Sequence, residues 1–121
     1  MRTGIDLIEI SRVKKSMKNP RFLSKCFSPS ELKYFMTISF SPQSVAANFC
    51  AKEAFVKAMG TGFTRGIRLN EISVLRDYMG APYITVTGAA KRVLDQSGFP
   101  KISVSLSHTK ELATAIVIAY K

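Results

Sequence analysis

The run from Val45 to Met59, VAANFCAKEAFVKAM, is followed by Gly60-Thr61-Gly62 and constrains this chain more than any other segment. It holds no Pro or Gly, and its apolar residues recur at helical spacing. It therefore predicts the longest helix of the chain, opened by Ser41 or Ser44 and stopped by Gly60. Val45, Phe49 and Val56 share one face of that helix, and Glu53 falls into the same i, i+4 series. A carboxylate inside an apolar stripe is costly to bury alone, so Glu53 needs a reason to be there.

The other elements follow from local signals. Ile5 to Ile10 reads as a strand with Asp6, Ile8 and Ile10 on one face, and Ser11 to Lys18 as a helix with Pro20 as its stop signal. Ser28-Pro29-Ser30-Glu31 is a helix start in which Ser28 caps, Pro29 takes the first helical position and Glu31 completes a capping box. Ile72–Tyr78 and Tyr83–Thr87 predict strands joined by a turn at Met79-Gly80-Ala81-Pro82, and Gly88–Ser97 a helix ended by Gly98. Ile102 to Ser107 alternates strictly between apolar residues and serine, and Ala113–Tyr120 is a last apolar strand beyond the turn His108-Thr109-Lys110-Glu111. The order β, α, α, α, β, β, α, β, β predicts an α+β fold. One compact domain over residues 1–121 would pack a mostly antiparallel sheet on the long central helix.

Charge narrows the function. Eighteen Lys and Arg against eight Asp and Glu leave +10, which favours a polyanionic ligand: nucleic acid, nucleotide, anionic lipid or an acidic protein. A single His excludes a multi-His zinc site, and Cys26 and Cys50 form no CxxC, so reduced thiols in a cytoplasmic protein are expected. The N-terminus lacks the pattern of a signal peptide. Tyr34 to Ala51 is uncharged for 18 residues, yet Thr37, Ser39, Gln43, Asn48 and the interrupting Pro42 make it a poor membrane span, so no membrane partner is expected.

Four groups of residues carry candidate chemistry. Asp6 and Glu53 are carboxylates on elements that otherwise look buried, and such a pair can hold Mg²⁺ with water and phosphate oxygens filling its octahedron. The plainer alternative pairs Glu53 with Lys57 on an exposed helix face. Lys57, Gly60, Thr61 and Gly62 combine an ammonium with tight turns whose N–H groups can face phosphate, although no P-loop is present. Arg12, Lys14, Lys15, Lys18, Arg21 and Lys25 form a basic run without an acidic residue, interleaved with Met17 and Phe22. It reads either as a solvated helix or as a docking face for an acidic partner. Ser105-Leu106-Ser107-His108-Thr109 ends a strand without a GxSxG context and reads as a ligand-touching loop or a plain turn.

Five blocks in order resemble one family. Gly4-Ile5-Asp6-Leu7-Ile8-Glu9-Ile10 with Arg12, Phe27-Ser28-Pro29-Ser30-Glu31-Leu32, Phe49 through Gly62, Gly80-Ala81-Pro82-Tyr83 and Val104 through Thr109 are similar to the bacterial holo-acyl-carrier-protein synthases, small members of the 4′-phosphopantetheinyl transferase superfamily. The resemblance covers nearly the whole chain. It implies transfer of the 4′-phosphopantetheine arm of coenzyme A to a serine of apo-acyl carrier protein, releasing adenosine 3′,5′-bisphosphate, with Mg²⁺ as cofactor and fatty acid biosynthesis as the beneficiary.

By position, the resemblance makes Asp6 and Glu53 the Mg²⁺ ligands. It makes Glu53 and Lys57 catalytic, Lys57 serving the leaving group. It places Lys52, Lys57, Gly60, Thr61, Gly62, Pro82, His108 and Thr109 around the coenzyme, with His108 and Thr109 reaching across a subunit boundary in a homotrimer. Arg12, Lys15, Met17, Arg21 and Phe22 become the carrier-protein docking surface. The base for the serine proton is Glu53 or a metal-coordinated water. Two positions depart from the family: Asn48 stands where an Arg that helps hold coenzyme phosphate is usual, and Arg2 where Gly is frequent. No basic residue between Lys33 and Lys52 replaces that Arg. A small nucleic-acid-binding domain is the alternative that the charge allows, but the stacking-aromatic strand motifs of RNA-binding sheets are missing, so no nucleic acid partner is expected.

Overall fold

The computed structural model describes residues 1–121. Its elements run β1 (Arg2–Glu9), α1 (Ile10–Ser16), α2 (Pro20–Cys26), α3 (Pro29–Thr37), α4 (Pro42–Met59), a 3₁₀ turn at Leu69–Glu71, β2 (Ile72–Arg76), β3 (Pro82–Val86), α5 (Gly88–Gln96), β4 (Lys101–His108) and β5 (Leu112–Tyr120). The fold is α+β and every strand pairing is antiparallel, but the strands form two sheets: a three-stranded one in the order β1-β5-β4 and a separate β2-β3 hairpin.

Most of the expected elements are present. Ser28 and Glu31 form the expected capping box, each side chain taking the other's backbone N–H, at 3.2 and 3.0 Å. Helix α4 starts after Ser41, with Pro42 in its first turn, and ends at Gly60 in the left-handed conformation (φ 74°). One helix was not expected. Pro20 does not merely stop α1; it opens α2, and the Asn19 side chain accepts the Arg21 N–H at 3.0 Å as its cap. β1 also starts earlier than its apolar run and hands Ile10 to α1.

Helix α4 lies across the inner face of the three-stranded sheet, and the buried apolar side chains form one cluster around it. Alternation in β5 puts Ala113, Ala115, Val117 and Ala119 under the helix. The approach is tight at Gly4, where an added Cβ would lie 1.9 Å from the Ala54 carbonyl oxygen and 2.7 Å from the Ala58 nitrogen. Only a residue without a side chain lets β1 come this near, and that contact sets the height of Asp6 two residues on. The opposite face of the same sheet is open: Ile5 is 62% exposed and Leu7 63%, with Ile116, the cross-strand partner of Ile5, beside them.

Candidate active site

β1 and α4 bring the two carboxylates to one place. Asp6 and Glu53 line a pocket of about 370 Å³ together with Ile8, Arg12, Phe22 and Phe49. Asp6 is held from behind by Thr114, whose hydroxyl donates to the Asp6 backbone carbonyl at 2.7 Å. Lys57, one turn beyond Glu53, does not pair with it. Its ammonium crosses to β1 and donates to Asp6 Oδ1 at 3.1 Å and to the Ile5 carbonyl at 3.0 Å. The sequence spacings thus converge: residues 6, 53 and 57 share one corner of the molecule.

The electrostatics of that corner are incomplete. Burial raises the Glu53 pKa above the usual carboxylate value, the Asp6 charge raises it further, and Lys57 only partly offsets them. Burial also pushes the neighbouring Cys50 thiol up to about 12, helped by the Asp6 carboxylate. A half-buried Glu53 whose ionised form is disfavoured beside a second carboxylate suits an added divalent cation. The corner has no third acidic, His or Cys ligand. Two carboxylates without further protein ligands suit a hard divalent cation such as Mg²⁺, which takes one or two carboxylates and leaves its other positions to water and phosphate, better than a closed protein cage.

The remaining expected residues fall in other places. The loop at Gly60-Thr61-Gly62 follows α4 directly, with both glycines at positive φ (74° and 56°), and Arg2 donates to the last helical carbonyl, Met59 O, at 3.2 Å. His108 and Pro82 line a second pocket, and His108 and Thr109 a third, shared with Ser41, Gln43 and Ser44 at the start of α4. The Thr109 hydroxyl oxygen accepts the N–H groups of Glu111 and Leu112 at 3.2 and 3.0 Å, closing the turn between β4 and β5. Neither of these pockets shares a residue with the Asp6–Glu53 pocket. Gln43 and Glu53 are separated by about 15 Å along α4, and Asp6 and His108 sit on opposite edge strands of the sheet.

Of the basic segment, Arg12, Lys15 and Arg21 are exposed, whereas Met17 and Phe22 are half-buried against the core. The Phe22 ring lies 5.8 Å from those of both Phe27 and Phe49, so it is a packing residue as well as a surface one.

Lys52 requires a correction. The expectation placed it against the coenzyme; the structure buries its side chain completely and pairs it with Glu31. Its ammonium also donates to the backbone carbonyls of Leu69, at 3.0 Å, and of Ile72. Lys52 and Glu53 are adjacent in a helix and so point about 100° apart, which sends one into the core and the other to the pocket. Burial pushes Glu31 up and Lys52 down, each towards its neutral form, against their mutual attraction.

Asn48 joins this network: its amide donates to Glu31 Oε2 and to the Val74 carbonyl, both at 2.9 Å, and its oxygen accepts from Arg76 at 2.9 Å. Arg76 escaped the sequence reading. No local spacing links position 48 to position 76, and the only signal was the arginine missing from the helix.

The family model of the 4′-phosphopantetheinyl transferase superfamily matches residues 2–117. The holo-[acyl-carrier-protein] synthase of Lachnoclostridium phytofermentans is 43% identical over 115 residues, covering 95% of this chain and 91% of that protein. That of Syntrophus aciditrophicus is 41% identical over 118 residues, covering 96% and 92%. The crystal structure of the Neisseria meningitidis synthase superposes with a TM-score of 0.90 at 29% identity, over 99% of this chain and 98% of that one. The Helicobacter pylori synthase, crystallised in complex with coenzyme A, gives 0.84 at 30% identity, over 97% and 98%. The chain therefore belongs to the holo-[acyl-carrier-protein] synthases of the 4′-phosphopantetheinyl transferase superfamily and is an enzyme of phosphopantetheinyl transfer.

Proposed function

We propose that this chain transfers the 4′-phosphopantetheine arm of coenzyme A to a serine hydroxyl of an acidic acyl carrier protein, in the cytoplasm and in support of fatty acid biosynthesis. The observation that carries the reading is the shared pocket of Asp6 and Glu53 with the Lys57 ammonium on Asp6. The serine oxygen forms a bond to the phosphorus that bears pantetheine, the pyrophosphate P–O bond breaks, and adenosine 3′,5′-bisphosphate leaves. Phosphoryl transfer of this kind asks for positioning and charge neutralisation more than covalent chemistry.

Asp6 and Glu53 are the residues that would hold Mg²⁺, which supplies positive charge against the pyrophosphate when bound. Lys57, which is more than half exposed, can turn from Asp6 to the departing phosphate and stabilise its charge. Glu53, with its raised proton affinity, is placed to take the serine proton. Arg12 stands at the rim of the pocket, where the basic surface of α1 and α2 meets the reacting centre. An acidic carrier protein docked on Arg12, Lys15 and Arg21 would present its serine there.

The site is completed by a second copy of the chain. His108 and Thr109 line pockets that share no residue with the Asp6–Glu53 pocket, which suits a nucleotide end held across a subunit boundary. The open apolar face of β1 and β5 is a surface through which copies can pack. A homotrimer with active sites between subunits satisfies both observations.

The test is mass spectrometry of apo-acyl carrier protein incubated with this protein, coenzyme A and Mg²⁺. A gain of roughly 340 Da, the mass of the arm as cofactor chemistry defines it, is expected on the carrier-protein serine. An unmodified carrier protein overturns the reading.

A further inference from the structure

Arg76 ends β2 beside the β2–β3 turn, and its surroundings are unusual for a surface arginine. Nη2 donates to Asn48 Oδ1 at 2.9 Å, Nη1 contacts the Leu75 carbonyl at 3.4 Å, and the guanidinium carbon lies 5.1 Å from the centre of the Tyr34 ring. Asn48 is fully buried and both its other bonds are taken by Glu31 and Val74, so its oxygen is a fixed anchor. No carboxylate neutralises the guanidinium: the ion pairs of the chain are Lys52–Glu31, Lys57–Asp6 and Lys91–Asp95. The adjacent Asp77 is committed to the turn, where its Oδ1 accepts the N–H groups of Met79 and Ala81 at 2.8 and 3.0 Å.

Arg76 borders the pocket that holds Pro82 and His108, about 330 Å³ in volume and also lined by Gln43, Ser44 and Ser105. That lining offers hydroxyls, an amide and an imidazole, and no carboxylate. A guanidinium has five N–H donors in a rigid fork, and a fork tethered at one corner, stacked on a ring and left without a counter-ion suits an anion with several acceptor oxygens. The family resemblance expects such a cation at position 48 of the helix, where this chain has Asn48.

The geometry points to Arg76 as a specificity-determining residue: it binds the ribose phosphomonoester of coenzyme A, its guanidinium delivered by strand β2 and steadied by Asn48. This rests on the coenzyme A reading above. The pyrophosphate belongs with Lys57 on the other side of α4, so the phosphate left for Arg76 is the terminal one.

The experiment compares binding of coenzyme A and of 3′-dephospho-coenzyme A, which keeps the pyrophosphate, to the full chain and to Arg76→Gln and Arg76→Lys, with KM and kcat measured alongside. The unaltered chain should prefer coenzyme A by about tenfold or more, the scale of a charge-assisted contact. Arg76→Gln should lose most of that preference while its affinity for the dephospho compound and its kcat stay unchanged. Arg76→Lys, which keeps the charge and can still donate to Asn48, should fall between. Three results overturn the inference: no preference in the unaltered chain, a preference retained in Arg76→Gln, or equal loss of both ligands in both variants. The first and second can occur in a chain that still modifies apo-acyl carrier protein, so they leave the transfer reaction standing. A chain that binds neither ligand and modifies nothing fails the transfer reading itself.

Discussion

Gly4 and Ala54 are in backbone contact: the place where a Gly4 side chain would begin is 1.9 Å from the Ala54 carbonyl oxygen. The strand that carries Asp6 and the helix that carries Glu53 are therefore held at a distance that only glycine permits. Gly4→Ala should separate them and overpack the core, costing about 1–3 kcal/mol. The denaturant midpoint should fall, and transfer activity should fall with it. A variant of unchanged stability would show that the strand can move away at no cost.

Glu53→Gln separates catalysis from stability. Burial and Asp6 raise the Glu53 pKa in the folded chain above its unfolded value. Between those two values the folded chain holds the extra proton, so stability falls as pH rises through that window and stays lowered above it. Removing the charge should leave Tm at pH 7 equal or higher while turnover drops by about 10²-fold or more. Thermal melts at pH 4 and 7 check the sign: the Tm gain of Glu53→Gln should be larger at pH 7. A loss of Tm at both pH values would assign Glu53 a structural role instead.

The buried Lys52–Glu31 pair should behave as structure. Lys52→Met leaves Glu31 without its cation in the core, at a cost of about 3–5 kcal/mol. Lys52→Met with Glu31→Gln should recover part of that cost, because the uncompensated charge is gone. Equilibrium urea unfolding of the single and double variants measures the coupling, and simple additivity would contradict the pairing.

Charge reversal at Arg21 probes the proposed docking face away from the reacting pocket. Arg21→Glu should raise KM for the carrier protein several-fold at low salt and much less at high salt, leaving coenzyme A affinity unchanged. Loss of coenzyme affinity in the same variant would remove the case for a separate carrier-binding surface.

The readable parts of this molecule were those fixed by local physics. The Ser28–Glu31 box, the Gly60 stop and the serine alternation of β4 are each set by residues within a few positions, and all three are present. Two carboxylates on apolar elements left a shared site for Asp6 and Glu53 as one of two readings, and the family resemblance favoured it; their convergence depends on Gly4, whose tight contact no spacing announces. Proline misled at position 20, because the residue that ends one helix can equally open the next. Lys52 misled because the family signature that carries it does not say which way the helix turns the side chain, and here it turns inward to Glu31. The division into two sheets and the Arg76–Asn48 contact depend on long-range packing, which a single sequence does not display.

A chain that leaves Ile5, Leu7 and Ile116 facing water on one side of its sheet is poorly suited to life alone. If that face is what joins the copies, diluting the enzyme pulls apart its catalytic centres as well as its quaternary structure. Turnover per chain would then drop at low concentration under mass action, and recover on concentrating, without any residue having changed.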